Sequence, residues 1–285
     1  GLRYQPSAPT ALTLRDETIL DRVIEAAAAR GIEVLLQVMA ASPPGYRVQF
    51  GATHDDDQCL GADGRPHAAR VDRNASLASP HVAAYVATLV AELAERYPGV
   101  AGFRLDWPEY PPYDFASALF DFNPAAMAAM RALGSDPPAV ARGVHDWMTS
   151  VRAQVSEAAA RGAEAVHDVV AGQQWQGLWD ETGPLAQLFA AKRAVTLQLL
   201  RGVRGALDAL PGPRRRLELQ AFPPPFHHIS GFPLASLQGV ADAVGIKLYT
   251  MHWPMIARFW AGGLVGAGAP ALHDAATAAL AMHFG

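Results

Sequence analysis

Val100-Ala-Gly-Phe-Arg-Leu-Asp-Trp-Pro108 is the stretch whose reading decides the fold. It has the apolar weight of a buried strand from Val100 to Trp107, carries two charges and stops at a proline. Side chains alternate along a strand, so Arg104 and Asp106 share one face while Phe103 and Leu105 share the other. Charge inside an apolar strand is costly unless paired, which leaves a structural ion pair and an active site as competing readings.

Working outward, apolar positions Ile19, Leu20, Val23, Ile24, Ala27 and Ala28 predict a helix over residues 16–30 that ends at Gly31. Ile32 to Met39 reads as a buried strand, and a Gly/Pro/Asp-rich loop runs from Ala41 to about Ser79. Ser79-Pro80 opens a helix through Tyr97, with proline in its first turn. Strand signals return in Leu217–Phe222 and in Val244–Met251, with a short helix expected over Leu234–Val240. Residues 139–210 are alanine-rich and helical, broken around Gly172–Pro184, with Ala165–Val170 as a candidate strand.

Alternating helices and strands predict parallel βα units and an α/β fold of the (β/α)8 TIM-barrel type. Four strong strands fall short of eight. Either others are disguised, or the barrel is incomplete and 1–285 is one catalytic domain cut from a longer chain. Gly1-Leu-Arg-Tyr4 reads as a loop after a missing strand, and Ala278–His283 as the middle of a helix.

The chain has 285 residues, a net charge of −4 and one cysteine, Cys59. No basic stripe with interleaved aromatics is present, which argues against nucleic acid as partner, and Arg214-Arg215-Arg216 reads as a solvated loop. A single cysteine excludes an internal disulfide framework and a multi-cysteine zinc site. No apolar run reaches the roughly 20 residues that span a bilayer, so a soluble protein with no membrane partner is expected, whether cytoplasmic or secreted. Asn74-Ala-Ser76 forms an N-glycosylation triplet, which says little without the compartment.

The barrel mouth predicted at Asp106 continues into Trp107-Pro-Glu-Tyr-Pro-Pro-Tyr-Asp114. Sugar rings stack their C–H faces on aromatic rings and offer hydroxyls to carboxylates, so this mixture suits a carbohydrate cleft, although aromatics and prolines also pack barrel rims. Gly102-Phe-Arg-Leu-Asp106 resembles the fourth-strand segment of the α-amylase superfamily and of related barrel families of glycosyl hydrolases. The approach from Asn74 to Gly99 and the run Lys247-Leu-Tyr-Thr-Met-His-Trp253 are similar to the same families, the whole resemblance covering about Gly31 to Trp260. It implies Asp106 as nucleophile and Arg104 as the cation that keeps it charged.

Glycosidases need a second carboxyl group, about 5 Å away in retaining enzymes and further in inverting ones. Glu218 is one candidate, because the resemblance puts the acid on the next strand, although it lies about four residues before its loop. Glu109 sits on the rim three residues beyond Asp106, and Asp114 is a third candidate. Trp107, Tyr249 and Trp253 are expected to line sugar subsites, with Gln37 and His252 as hydrogen-bonding rim residues. His54-Asp-Asp-Asp57 could grip hydroxyls or a hard cation, or be a solvated acidic turn. His227-His228 would point apart in a strand and lack a third metal ligand.

The expected activity is hydrolysis of an O-glycosidic bond in an oligosaccharide or polysaccharide, without cofactor or metal. A non-catalytic carbohydrate-binding barrel and a metal-dependent barrel hydrolase are the alternatives.

Overall fold

A computed structural model describes residues 1–5, 8–9, 11–40, 54–67, 74–266 and 269–284, with the side chains of residues 12–13 and 173–174 undescribed. Its elements run α1 (Ala11–Arg15), α2 (Ile19–Ala28), β1 (Leu35–Met39), α3 (Pro80–Arg96), β2 (Gly102–Asp106), α4 (Pro124–Ala132), α5 (Pro137–Ala159) and α6 (Ala163–Val170). Then follow α7 (Gly183–Asp208), β3 (Arg216–Ala221), α8 (Phe226–Ser230), β4 (Ala243–Ile246), α9 (His252–Val265) and α10 (Pro270–Phe284). The candidate strand Ala165–Val170 is thus part of α6. Val166 and Val170 are its buried residues, four apart on one helical face, a pattern that a short apolar run cannot distinguish from a strand.

The four strands form one parallel sheet in chain order, with Leu36 paired to Phe103, Phe103 to Leu217 and Leu219 to Val244. Among the described residues β1 and β4 are its edges, so the sheet is open. The α/β class and the parallel order are as expected; a closed eight-stranded barrel is not present among the described residues.

Alternation along β2 is as the sequence predicts. Phe103 and Leu105 are fully buried and join Val38, Leu217, Leu219 and Ala221 in a core with Val82, Val86 and Val90 of α3 and Val195, Leu199 and Val203 of α7. Arg104 and Asp106 stand on the other face and are only partly buried. Gly102 is required where β2 meets β3, because a Cβ there would lie 2.2 Å from the Arg216 carbonyl oxygen. A second core joins α5, α6, α9 and α10 around Phe115, Trp175 and Trp260, whose rings meet edge-on or tilted at 5.5–5.9 Å.

Local signals acted as expected at several ends. The Ser79 hydroxyl caps α3 by accepting from the His81 and Val82 amides at 3.1 and 3.3 Å, with Pro80 in the first turn. Gly31 turns the chain after α2 at φ +68°.

Other readings need correction. β4 stops at Ile246, so Tyr249 lies in a turn and His252 begins α9. Leu234–Ser236 is a single 3-10 turn, too short for the helix expected through Val240, and His227-His228 lie in α8 rather than in a strand. The arginines 214–216 are solvent-accessible, as expected, but also engaged: Arg214 pairs with Asp242, Arg215 donates to the Pro213 and Pro98 carbonyls, and Arg216 joins Glu33 and Glu218. Asn74 and Ser76 are buried, so a glycan on Asn74 does not fit this fold. No helix among the described residues is long and apolar enough to cross a membrane.

Candidate active site

Asp106 is the last residue of β2, level with Met39 of β1. The chain leaves it through Trp107 at φ +52°, a left-handed conformation rare for a bulky side chain and a form of strain that concentrates at functional sites. That turn lets the Trp107 amide donate to Asp106 Oδ1 at 2.9 Å. Gln37 Nε2, on the adjacent strand, donates to Oδ2 at 3.2 Å. The Lys247 ammonium, one residue beyond β4, forms an ion pair with Oδ1. Lys247 is 4% exposed and lies 5.0 Å from the Phe222 ring centroid and 5.8 Å from that of Trp107. Asp106 keeps 22% of its side chain exposed, so solvent reaches this carboxylate.

Glu109 differs in every respect. It is fully buried, with Oε1 accepting from the Phe222 amide at 2.6 Å and Oε2 from the Ser230 hydroxyl at 2.5 Å. Burial pushes its carboxyl from the ordinary 4.5 up to about 7, against the opposing pull of those two hydrogen bonds and of Lys247 and Lys192. Glu218 lies deeper, paired in register with Arg104. Arg104 binds its Oε2 at 2.7 and 3.2 Å and Arg216 its Oε1 at 2.5 Å. The expected partnership is therefore redistributed: Lys247 is the cation on Asp106, and Arg104 serves Glu218. Two residues on one strand face are about 7 Å apart, so a side chain on the adjacent strand at the same level competes well with the one above.

Aromatic rings surround the Lys247–Asp106 pair. His252 is buried, its Nδ1 3.2 Å from the Lys247 carbonyl, and burial lowers its pKa, which favours a neutral ring. Its ring lies 4.9 Å from Tyr249, 5.7 Å from Phe222 and 6.2 Å from Tyr113, and Tyr113 lies 5.9 Å from Trp107. Tyr249 is 57% exposed. Trp253 packs against the α5–α10 core.

Other candidates lie apart from this group. The His54 ring lies tilted against Tyr4 at 5.3 Å, and the Tyr4 hydroxyl accepts from the His54 amide. The acidic run binds protein partners: Asp55 accepts from Gln58, Asp56 from Arg3, and Asp57 from Tyr4, Ser79 and Arg3. Among the described residues no three His, Cys, Asp or Glu side chains cluster as metal ligands. Asp114 pairs with His67 at 2.9 Å; burial alone would raise its pKa, but His67 and the Ala116 amide hold it below the ordinary carboxylate value.

Sequence reasoning missed Lys192 and Ser230. Lys192 is buried on α7 and donates to the Ala118 and Ile229 carbonyls at 2.8 and 2.6 Å, which fixes α8 and with it Ser230 against Glu109. Burial drags its ammonium down to about 7. The signal was available: Leu185, Leu188, Phe189, Lys192, Val195, Thr196 and Leu199 form one helical stripe, and a lysine within it must bury its charge.

Residues 15–106 match the family model of glycosyl hydrolase family 42, described as beta-galactosidase. No curated protein and no solved structure matches the chain. The matched segment takes in α2, β1, α3 and β2 and ends at Asp106. It supports a glycoside hydrolase whose substrate is a carbohydrate.

Proposed function

We propose that the protein hydrolyses an O-glycosidic bond in an oligosaccharide or polysaccharide by a two-carboxylate mechanism, on a sheet that is a contiguous arc of a (β/α)8 barrel. The beta-galactosidase similarity makes β-galactosides the first substrates to test. One contrast carries the reading. Two carboxyl groups at the end of β2 occupy opposite environments: Asp106 is solvent-accessible and paired with Lys247, and Glu109 is dehydrated and pushed up to about 7.

Asp106 attacks the anomeric carbon, forming a glycosyl ester as the C1–O bond to the leaving group breaks. Glu109 gives its proton to the departing oxygen, then takes a proton from the water that displaces Asp106. Lys247 and Gln37 orient the Asp106 oxygens, and Trp107 and Tyr249 offer ring faces to the sugar. Glu109 must turn from Ser230 to reach the glycosidic oxygen. Glu218, held by two guanidinium groups, orients Arg104.

The test is turnover of aryl β-galactosides and a panel of other glycosides by the wild type and by Asp106→Asn and Glu109→Gln. Asp106→Asn should lose on the order of 10³-fold or more in kcat, in line with the share of the barrier that a positioned nucleophile removes. Glu109→Gln should lose far more activity on poor leaving groups than on dinitrophenolate, which leaves without protonation. Wild-type turnover by folded Asp106→Asn would refute the nucleophile. Oligosaccharide binding without turnover of any glycoside would replace the enzyme by a binding barrel.

A further inference from the structure

A cavity of about 990 Å³ lies away from Asp106, between the first half of α7 and the segment from α8 to Ser236. Its walls are mostly apolar, with Leu197 and Phe232 among them, and the Trp179 indole, 37% exposed, stands at its edge. Pockets of this size and character, apolar with a few polar groups, are the usual form of a small-molecule site.

Two observations define what would fit. Arg193 lines the cavity half-buried, burial is the one influence on its guanidinium, and it has no ion pair among the described residues. Asp180 and Glu181 also line the cavity, but both are exposed and neither is within ion-pair distance of Arg193. A half-dehydrated, unpaired cation favours an anion that arrives with its own apolar surface. Beside it, His228 is held by the Leu178 carbonyl and wedged between Trp179 at 5.8 Å and Phe189 at 5.2 Å; burial first, and then Arg193, lower its pKa. His227 is likewise lowered by burial, so both rings are neutral near pH 7 and Arg193 is the one cation of the lining, half-buried where Asp180 and Glu181 are exposed.

We propose that this cavity binds a small carboxylate with a flat apolar body, the carboxylate on Arg193 and the flat face against Trp179. Its lining includes neither Asp106 nor Glu109, and Arg193 takes no part in the link that joins the two sites, the Ser230 hydroxyl that donates to both the His227 carbonyl and Glu109.

Titration calorimetry with 2-naphthoate and its neutral analogue 2-naphthylmethanol tests this on the whole chain. One molecule of naphthoate should bind, at least 10-fold more tightly than the alcohol. Arg193→Met should abolish that preference while leaving aryl-glycoside turnover unchanged. Ala190→Trp, which fills the cavity, should remove binding of both; should that variant fail to fold, Arg193→Met still decides. The proposal falls if naphthoate does not bind at millimolar concentration, if Arg193→Met binds it as well as the wild type, or if a saturating glycoside displaces it.

Discussion

Glu109→Gln separates the charge of this residue from its shape, and the structure sets the size of the effect. In the unfolded chain the carboxyl titrates near its ordinary 4.5, and in the fold near about 7. The native state therefore holds more protons than the unfolded state between these values, and its stability falls as pH rises through them. At about 1.4 kcal/mol per pH unit the ionised group destabilises the fold by about 3 kcal/mol at pH 8, and about 2.5 kcal/mol of this develops between pH 5 and pH 8. Glutamine keeps the oxygen that accepts from the Phe222 amide and stays neutral throughout. Urea unfolding of both proteins at pH 5 and pH 8 should show the variant gaining about 2.5 kcal/mol on the wild type over that interval. Stability differences that agree within about 0.5 kcal/mol at the two pH values would refute a dehydrated Glu109, and with it the proposed acid.

Four other substitutions probe the sheet and its rim. Lys247→Met leaves Asp106 without its cation, and should cost about 3 kcal/mol in urea unfolding and lower kcat as well. Gly102→Ala drives a methyl group against the Arg216 carbonyl and should destabilise by about 2–3 kcal/mol without altering the pH profile of turnover. Glu218→Gln strips the shared acid from Arg104 and Arg216, whereas Arg104→Met leaves Glu218 paired with Arg216. The first should therefore lower the thermal midpoint more than the second.

Most of what was legible in the sequence came from short-range rules. Strand alternation put Phe103 and Leu105 in the core and Arg104 and Asp106 opposite, and Ser79-Pro80 marked the start of α3, because these depend on neighbours within a turn or a pleat. The partners of the charges were not legible. Arg104 and Glu218 are 114 residues apart and meet through strand register, which hydrophobic pattern does not assign across so long a connection. A strand over Val244–Met251 would put Lys247 and Tyr249 on one face. Instead β4 ends at Ile246 and the chain turns, which sends Tyr249 outward and Lys247 onto Asp106. Ala165–Val170 misled for the converse reason, since a brief apolar run carries no period of its own.

The two ion pairs on the polar face of the sheet differ in how completely each carboxylate is occupied. Glu218 is 9% exposed and has a guanidinium on each oxygen, which leaves it little room for substrate. Asp106, two residues beyond the level where Arg104 meets Glu218, has the Lys247 ammonium and the Trp107 amide on one oxygen, but only the Gln37 amide on the other. An amide bond of 3.2 Å is the weakest of these contacts and the easiest to exchange for a sugar hydroxyl. In the proposed mechanism Oδ2 is thus the attacking atom, with Oδ1 fixing the carboxylate plane. On this geometry Gln37→Ala should leave Asp106 anchored and chiefly raise KM, whereas loss of Lys247 frees the plane itself and should lower kcat. Equal effects of both substitutions on KM and kcat would count against a division of labour between the two oxygens.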